Sequence, residues 1–281
     1  MEDLKIVFEE IKSSNPNMSL DELLCETYNK VKQDGEDFET YRNKILEVEN
    51  INEFEYYTKD VNKELKDYIE DNVFPGYEVN DKAHGIIHIK EVIRRSFALN
   101  DTFKLGLDKN MIYTIAACHD LGKHENHQIH EKIAANRFIN DSNFEKYFSN
   151  EERQIIKVAI EDHRSSKEEM PRSTYGKLIS SADRNTRIEI VFIRSFFVAK
   201  ERMPETNIEE YLDYTIQRLS KKYSEENPEN MFYEDEIYKT FLVDMRALLK
   251  KEDEFKNRYC AVNKIISRNN KVQDEEGVIN G

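Results

Sequence analysis

The chain has 281 residues, a formal net charge of −14 at pH 7, 35% charged residues, and only 8 Gly and 5 Pro. That length allows one large domain or two modest ones, and the scarcity of turn formers excludes a turn-rich all-β protein in favour of long amphipathic helices. A surface this acidic repels nucleic-acid backbone and anionic membrane, which excludes non-specific binding to either but not a small phosphorylated ligand in a locally positive pocket.

Residues 1–75 read as helices separated by stops. The acidic start, Met1-Glu2-Asp3, lacks the basic and apolar regions of a signal peptide. Ser19 and Glu22 form a capping box ahead of the apolar face Leu20, Leu23, Leu24 and Tyr28. Gly35 is expected to end that helix, and Phe38 to Val48 supplies the next. A longer helix is expected from Phe54 to Val73, stopped by Pro75-Gly76. No chemistry is legible here, and the stretch reads as a helical cap or interaction module.

Residues 76–203 differ in character, because all seven histidines lie between positions 84 and 163. Asp108 can cap a helix whose inward face runs Met111, Ile115, His119, with Gly122 as its stop. Ser149 and Glu152 form a second capping box, ahead of Ile156, Ala159 and His163 on one face. Leu178, Ile179 and Ala182 lead into Asp183 in the same way. Ligand-type residues that recur where leucine is expected need partners, since burying them bare costs several kcal/mol.

Residues 204–268 read as two or three further helices broken near Pro228, and the polar tail 269–281 is expected to be disordered. Cys25, Cys118 and Cys260 are far apart with no Cys-x-x-Cys pair, which argues against a zinc knuckle or disulfide framework. Cys118 reads as a small core residue. No apolar run approaches the roughly 20 residues that span a bilayer. The expectation is a soluble cytoplasmic protein without a membrane partner.

Four positions carry the chemistry: His88, the adjacent pair His119-Asp120, and Asp183. Two imidazoles and two carboxylates suit a hydrolytic metal site with room left for water and substrate. Neighbours on a regular helix diverge by about 100°, so His119 and Asp120 can face one point only from a helix end. Gly122 puts an end at that place.

The set resembles the HD-domain metal-dependent phosphohydrolases. The matching residues are His88 in His84-Gly-Ile-Ile-His88-Ile-Lys-Glu-Val92, the pair in Ala116-Ala-Cys-His119-Asp120-Leu-Gly-Lys123, and Asp183 in Ser181-Ala-Asp183-Arg184. The resemblance covers roughly residues 80 to 200. It implies an all-α helical bundle of the HD type, with extra helices at both ends and the metal at its middle. His88, His119, Asp120 and Asp183 are the ligands so implied. His84, four residues before His88 and expected on the same helix face, competes with it. Val92 at the family spacing favours His88, leaving His84 as a pocket residue.

His130 and His163 fall in the interval that supplies second-metal ligands in two-metal relatives, among which the hydrolases of dinucleoside polyphosphates are the most similar in style. The 11-residue step from His119 to His130 is short for that subgroup, and His163 precedes Arg164 rather than a further polar ligand. With one metal, both histidines would bind substrate phosphate instead. His124 and His127 read as polar-loop residues. Lys123, Arg164 and Arg184 could neutralise phosphate charge, with Asp120 and Lys123 the catalytic pair.

The expected function is therefore hydrolysis of a phosphate ester or anhydride in a nucleotide or related small molecule. One or two divalent ions are expected, of manganese, iron, cobalt, nickel or magnesium. The competing readings are a di-iron HD-type oxygenase and a nucleotide-sensing HD module without turnover.

Overall fold

A computed structural model describes residues 2–32, 37–80, 84–164, 169–226 and 231–264. Among them every regular element is helical and none is a strand, as the capped segments and scarce Gly and Pro predict. Two compact units are present: Met1–Arg184 with Glu229–Lys239, and Asn185–Pro228 with Thr240–Gly281.

The first unit opens with α1 (Glu2–Ser14), α2 (Leu20–Val31) and α3 (Phe38–Val48), which pack on one another. Ser19 and Glu22 form the expected reciprocal cap of α2, whereas the Gly35 stop lies outside the described residues. The single helix expected over Phe54–Val73 is instead two, α4 (Glu53–Thr58) and α5 (Lys63–Asn72). The break has a local cause: the Asn62 side chain accepts from Leu65 N–H at 3.1 Å and so starts a fresh helix. A short 3-10 turn, Phe74–Tyr77, follows with Pro75 in its first turn.

Next come α6 (Ile86–Thr102), α7 (Lys109–Cys118), α8 (His130–Asn140), α9 (Asn150–Asp162) and α10 (Thr174–Ala182). Helix α6 packs on α7 and α10, while α9 packs on α7, α8 and α10. Asp108 caps α7, and Ser149 with Glu152 caps α9, both as expected. The inward faces Met111-Ile115-His119 and Ile156-Ala159-His163 are buried.

Helices α2 and α4 pack on α6, and α5 packs on α7. One apolar core therefore runs from Phe8 to Ala182 without a seam near residue 75. The compact units thus divide the chain differently from the sequence segments 1–75, 76–203 and 204–268. The helices of the first segment pack on one another and also on α6 and α7, so their apolar faces join the same core.

The second unit holds α11 (Ile188–Arg202), α12 (Ile208–Lys222), most of α13 (Glu236–Leu249) and α14 (residues 252–264). Helices α11 and α12 pack together, and Phe192, Phe255 and Tyr259 form a ring cluster. The Pro228 break and the tail 269–281 lie outside the described residues. No helix among those described is long and apolar enough to cross a membrane.

A buried ionic knot ties α2 to α6. Arg94 Nη1 donates to Asp21 at 3.3 Å, Arg95 Nη1 donates to it at 3.4 Å, and Tyr57 Oη donates to it at 2.9 Å. Burial by itself would raise the Asp21 pKa, but the charges of Arg94, Arg42 and Arg95 outweigh it and hold the carboxyl below its usual value. Removing one partner from a buried pair leaves the other uncompensated, so Asp21→Asn should cost about 3–5 kcal/mol. The folded-state pKa lies below the unfolded one, so the contribution is whole above about pH 4 and is lost as pH falls through the folded value. Urea unfolding checks both points: the wild-type midpoint should drop on acidification below pH 4, and that of Asp21→Asn should start lower and drop less.

Candidate metal centre

Helix α7 ends at Cys118, with His119 at its C-cap and Asp120 in the turn beyond. Gly122 turns the chain at φ +84°, a region closed to most residues, and a Cβ there would lie 2.5 Å from Cγ2 of Ile133. Leaving the helix at this point lets consecutive side chains face one centre. His88 comes from the first turns of α6, and Asp183 from the C-cap of α10. His130 opens α8, and His163 caps the C-terminus of α9.

The two oxygens of Asp120 look in different directions. Oδ2 is 3.8 Å from His88 Nε2 and 3.6 Å from His119 Nε2. Oδ1 is 3.1 Å from His130 Nε2 and 3.5 Å from His163 Nε2. His88 Nε2 is also 3.1 Å from Asp183 Oδ1. Two donor groups result, His88-His119-Asp120 and Asp120-His130-His163, with Asp120 common to both and all members buried.

The backbone selects the tautomers. Nδ1 of His119 donates to Ala116 O at 2.8 Å, that of His130 to His127 O at 2.9 Å, and that of His163 to Ile160 O at 2.7 Å. A carbonyl can only accept, so each Nδ1 carries hydrogen and each neutral ring turns a bare Nε2 lone pair to the centre. The Nε2 atoms of His130 and His163 are 3.2 Å apart, with the Asp120 carboxylate against both. Lone pairs and a carboxylate this close repel unless a cation stands among them. Nε2 of His119 is buried with no hydrogen-bond partner among the described residues. Nitrogen and carboxylate donors with backbone-fixed tautomers fit a divalent transition metal.

Burial pushes His119 down to about 4, which keeps its ring neutral near pH 7 as ligation requires. Burial opposes ionisation of Asp120, yet its neighbours, with the Lys123 ammonium against both oxygens, hold the carboxyl well below its usual range. Asp183 is likewise held low against its burial, chiefly by His88. Lys123 Nζ donates to both Asp120 oxygens, at 3.2 and 3.0 Å.

The remaining sequence candidates scatter. His84 precedes the N-cap Gly85 and is therefore not on the His88 helix, although its ring lies edge-on to His88 at 5.9 Å. Arg184 is buried immediately after Asp183. Arg164 pairs with Glu131 at 3.2 Å and also donates to Gln128 O, which secures the start of α8. His127 supplies the carbonyl that orients His130, and its ring stacks on that ring at 5.8 Å.

Asn80 was not legible as a site residue. Its Nδ2 donates to Asp120 O at 3.2 Å and His84 O at 3.3 Å, while its Oδ1 accepts from His124 N–H at 3.2 Å. Only its burial and saturated amide mark it, and a lone Asn in sequence signals neither.

Comparison with known proteins gives one family and one relative. The HD domain family model matches residues 85–188. An uncharacterized protein of Clostridium beijerinckii (strain ATCC 51743 / NCIMB 8052) is 32% identical over 108 residues. That alignment spans 37% of this chain and 66% of the relative, just under two thirds of its length. No solved structure matches.

Gly122→Ala should place a Cβ against Ile133 at positive φ and lower stability by about 1–3 kcal/mol. Urea unfolding and metal titration check it: the midpoint should fall, and metal affinity with it, because the same turn aims Asp120.

Proposed function

Since residues 85–188 form an HD domain, we propose that this chain is a metal-dependent phosphohydrolase acting on a phosphate ester or anhydride of a nucleotide or related small molecule. One observation carries the reading: each oxygen of the buried Asp120 faces its own pair of imidazole nitrogens, so a single carboxylate can serve two cations. On this reading His88, His119, Asp120 and Asp183 hold one ion, and Asp120, His130 and His163 hold the other. The nitrogen and oxygen donors suit manganese, iron, cobalt, nickel or magnesium. Bound divalent metal supplies Lewis-acid polarisation of a phosphoryl oxygen and lowers the pKa of water enough to make it a nucleophile near neutral pH.

The protein's own groups do the rest. Asp120, held ionised, is the carboxylate that would be shared by both ions. The backbone carbonyls behind His119, His130 and His163 hold the rings in a ligating tautomer without reorganisation during turnover. Lys123, already drawn to the site by Asp120, is the cation we assign to the equatorial oxygens of the transferring phosphoryl group. His84, beside His88, and Arg184, after Asp183, are the groups we place on the substrate side. The charge of Arg164 is largely used by Glu131, and we assign it to holding α8.

Metal analysis joined to a phosphate-release screen over nucleotides and phosphoesters tests this. Wild-type protein saturated with manganese or iron should carry two ions per chain and turn over at least one substrate. His163→Ala should carry about one ion, and folded Asp120→Ala should lose turnover to below detection. Full activity in folded Asp120→Ala would sink the assignment. Nucleotide binding without turnover would identify a sensor.

A further inference from the structure

Helices α6 and α10, which pack on each other, present His88 and Asp183, whose side chains meet at 3.1 Å. A distant segment of chain ties the same two helices together by side-chain and backbone hydrogen bonds. Residues Glu229–Lys239 belong to the first unit, although the chain before and after them belongs to the second. Ser181, buried in the last turn of α10 two residues before Asp183, has its Oγ bonded by two successive backbone amides: Phe232 N–H donates at 3.1 Å and Tyr233 N–H at 3.2 Å.

Two residues on, Asp235 accepts a bidentate pair from Arg95 of α6, at 2.7 and 3.0 Å, with both side chains buried. Arg95 lies seven residues after His88, two turns along the same face of α6. Asp235 also accepts from Tyr238 N–H at 3.0 Å and so starts α13, and the Tyr233 ring lies 5.3 Å from that of Phe103 at the end of α6. One short segment thus grips both helices through polar contacts, buried between Arg95 and Asp235 and partly buried where the two amides meet Ser181. It reaches neither α8 nor α9 by any of these bonds.

We propose that residues 231–239 are a clamp that positions His88 against Asp183, with Ser181 and Asp235 as its positioning residues. The clamp sets metal affinity at the His88-His119-Asp120-Asp183 site while leaving the His130-His163 site unaffected. This rests on the metal-dependent reading above. A ligand pair delivered by two separate helices binds tightly only if their spacing is held. Contacts that orient ligands typically change affinity by ten- to a hundredfold when removed. Binding linkage is reciprocal, so metal at that site should in turn steady the clamp.

Manganese titrations followed by electron paramagnetic resonance test the proposal on the full chain. Ser181→Ala, a small change at a buried site, should weaken one manganese about tenfold and leave the other within about twofold. In His163→Ala, which keeps only the His88-side ion, adding Ser181→Ala should weaken the remaining one. Equal weakening of both ions marks general destabilisation and overturns the clamp, as does no weakening of either. Hydrogen exchange in the wild type needs no variant: manganese saturation should slow the Phe232 and Tyr233 amides, and unchanged rates would overturn the idea. Wild-type protein that binds no manganese refutes the metal reading itself and the clamp with it. That failure is recognisable because it appears before any substitution.

Discussion

An ionised carboxylate buried at the meeting of five helices sets the terms for the rest of the first unit. Taking the Asp120 charge out of water costs several kcal/mol unless charges and donors surround it. Lys123 donates to both Asp120 oxygens, and on the metal reading the cations that Asp120 would share with the histidines complete that surround. Those groups come from three places: His119 and Lys123 from the end of α7 and its turn, His130 from the start of α8, and His163 from the end of α9. The α7, α9 and α10 ends and the α8 start therefore converge, and the helices stop where they do because the centre needs their terminal residues.

Ending a helix at the centre solves a second problem. The last carbonyls of any helix lack intrahelical partners. Ala116 O and Ile160 O, each three residues before a C-cap, take their hydrogen from the very histidines that close α7 and α9. The orphan carbonyl is satisfied, and the imidazole is locked with its lone pair inward. Helix termination and the orientation of the inward-facing imidazole are one arrangement here, which a histidine at each cap makes possible.

Helix α6 joins this centre to the ionic knot with Asp21. It offers His88 near its start and Arg94 and Arg95 two turns later, and it is buried along most of its length. A helix covered on nearly every side gains its place from packing, but its buried guanidinium groups make that place specific. The two terminal nitrogens of Arg95 find their partners only when Asp235, and for Nη1 also Asp21, stand where they do. The N-terminal helices and the 231–239 segment thus meet α6 at its buried arginines, on the helix that carries His88.

What local chemistry governs was legible in the residues. The capping boxes at Ser19 and Ser149, the Asp108 cap, the inward faces ending in His119 and His163, and the helix end at Gly122 all depend on atoms within about four residues of one another. The Asn62 cap that divides α4 from α5 was equally local, but the apolar pattern running through it obscured the break. Other features were settled only by tertiary packing: that His130 and His163 share one oxygen of Asp120, that Asn80 staples the Asp120 turn, and that Asp235 meets Arg95 across 140 residues. Periodicity and capping tell which face of a helix points inward. Which inward faces meet is decided by how short helices cover one another's apolar surface, and no spacing along the chain encodes that.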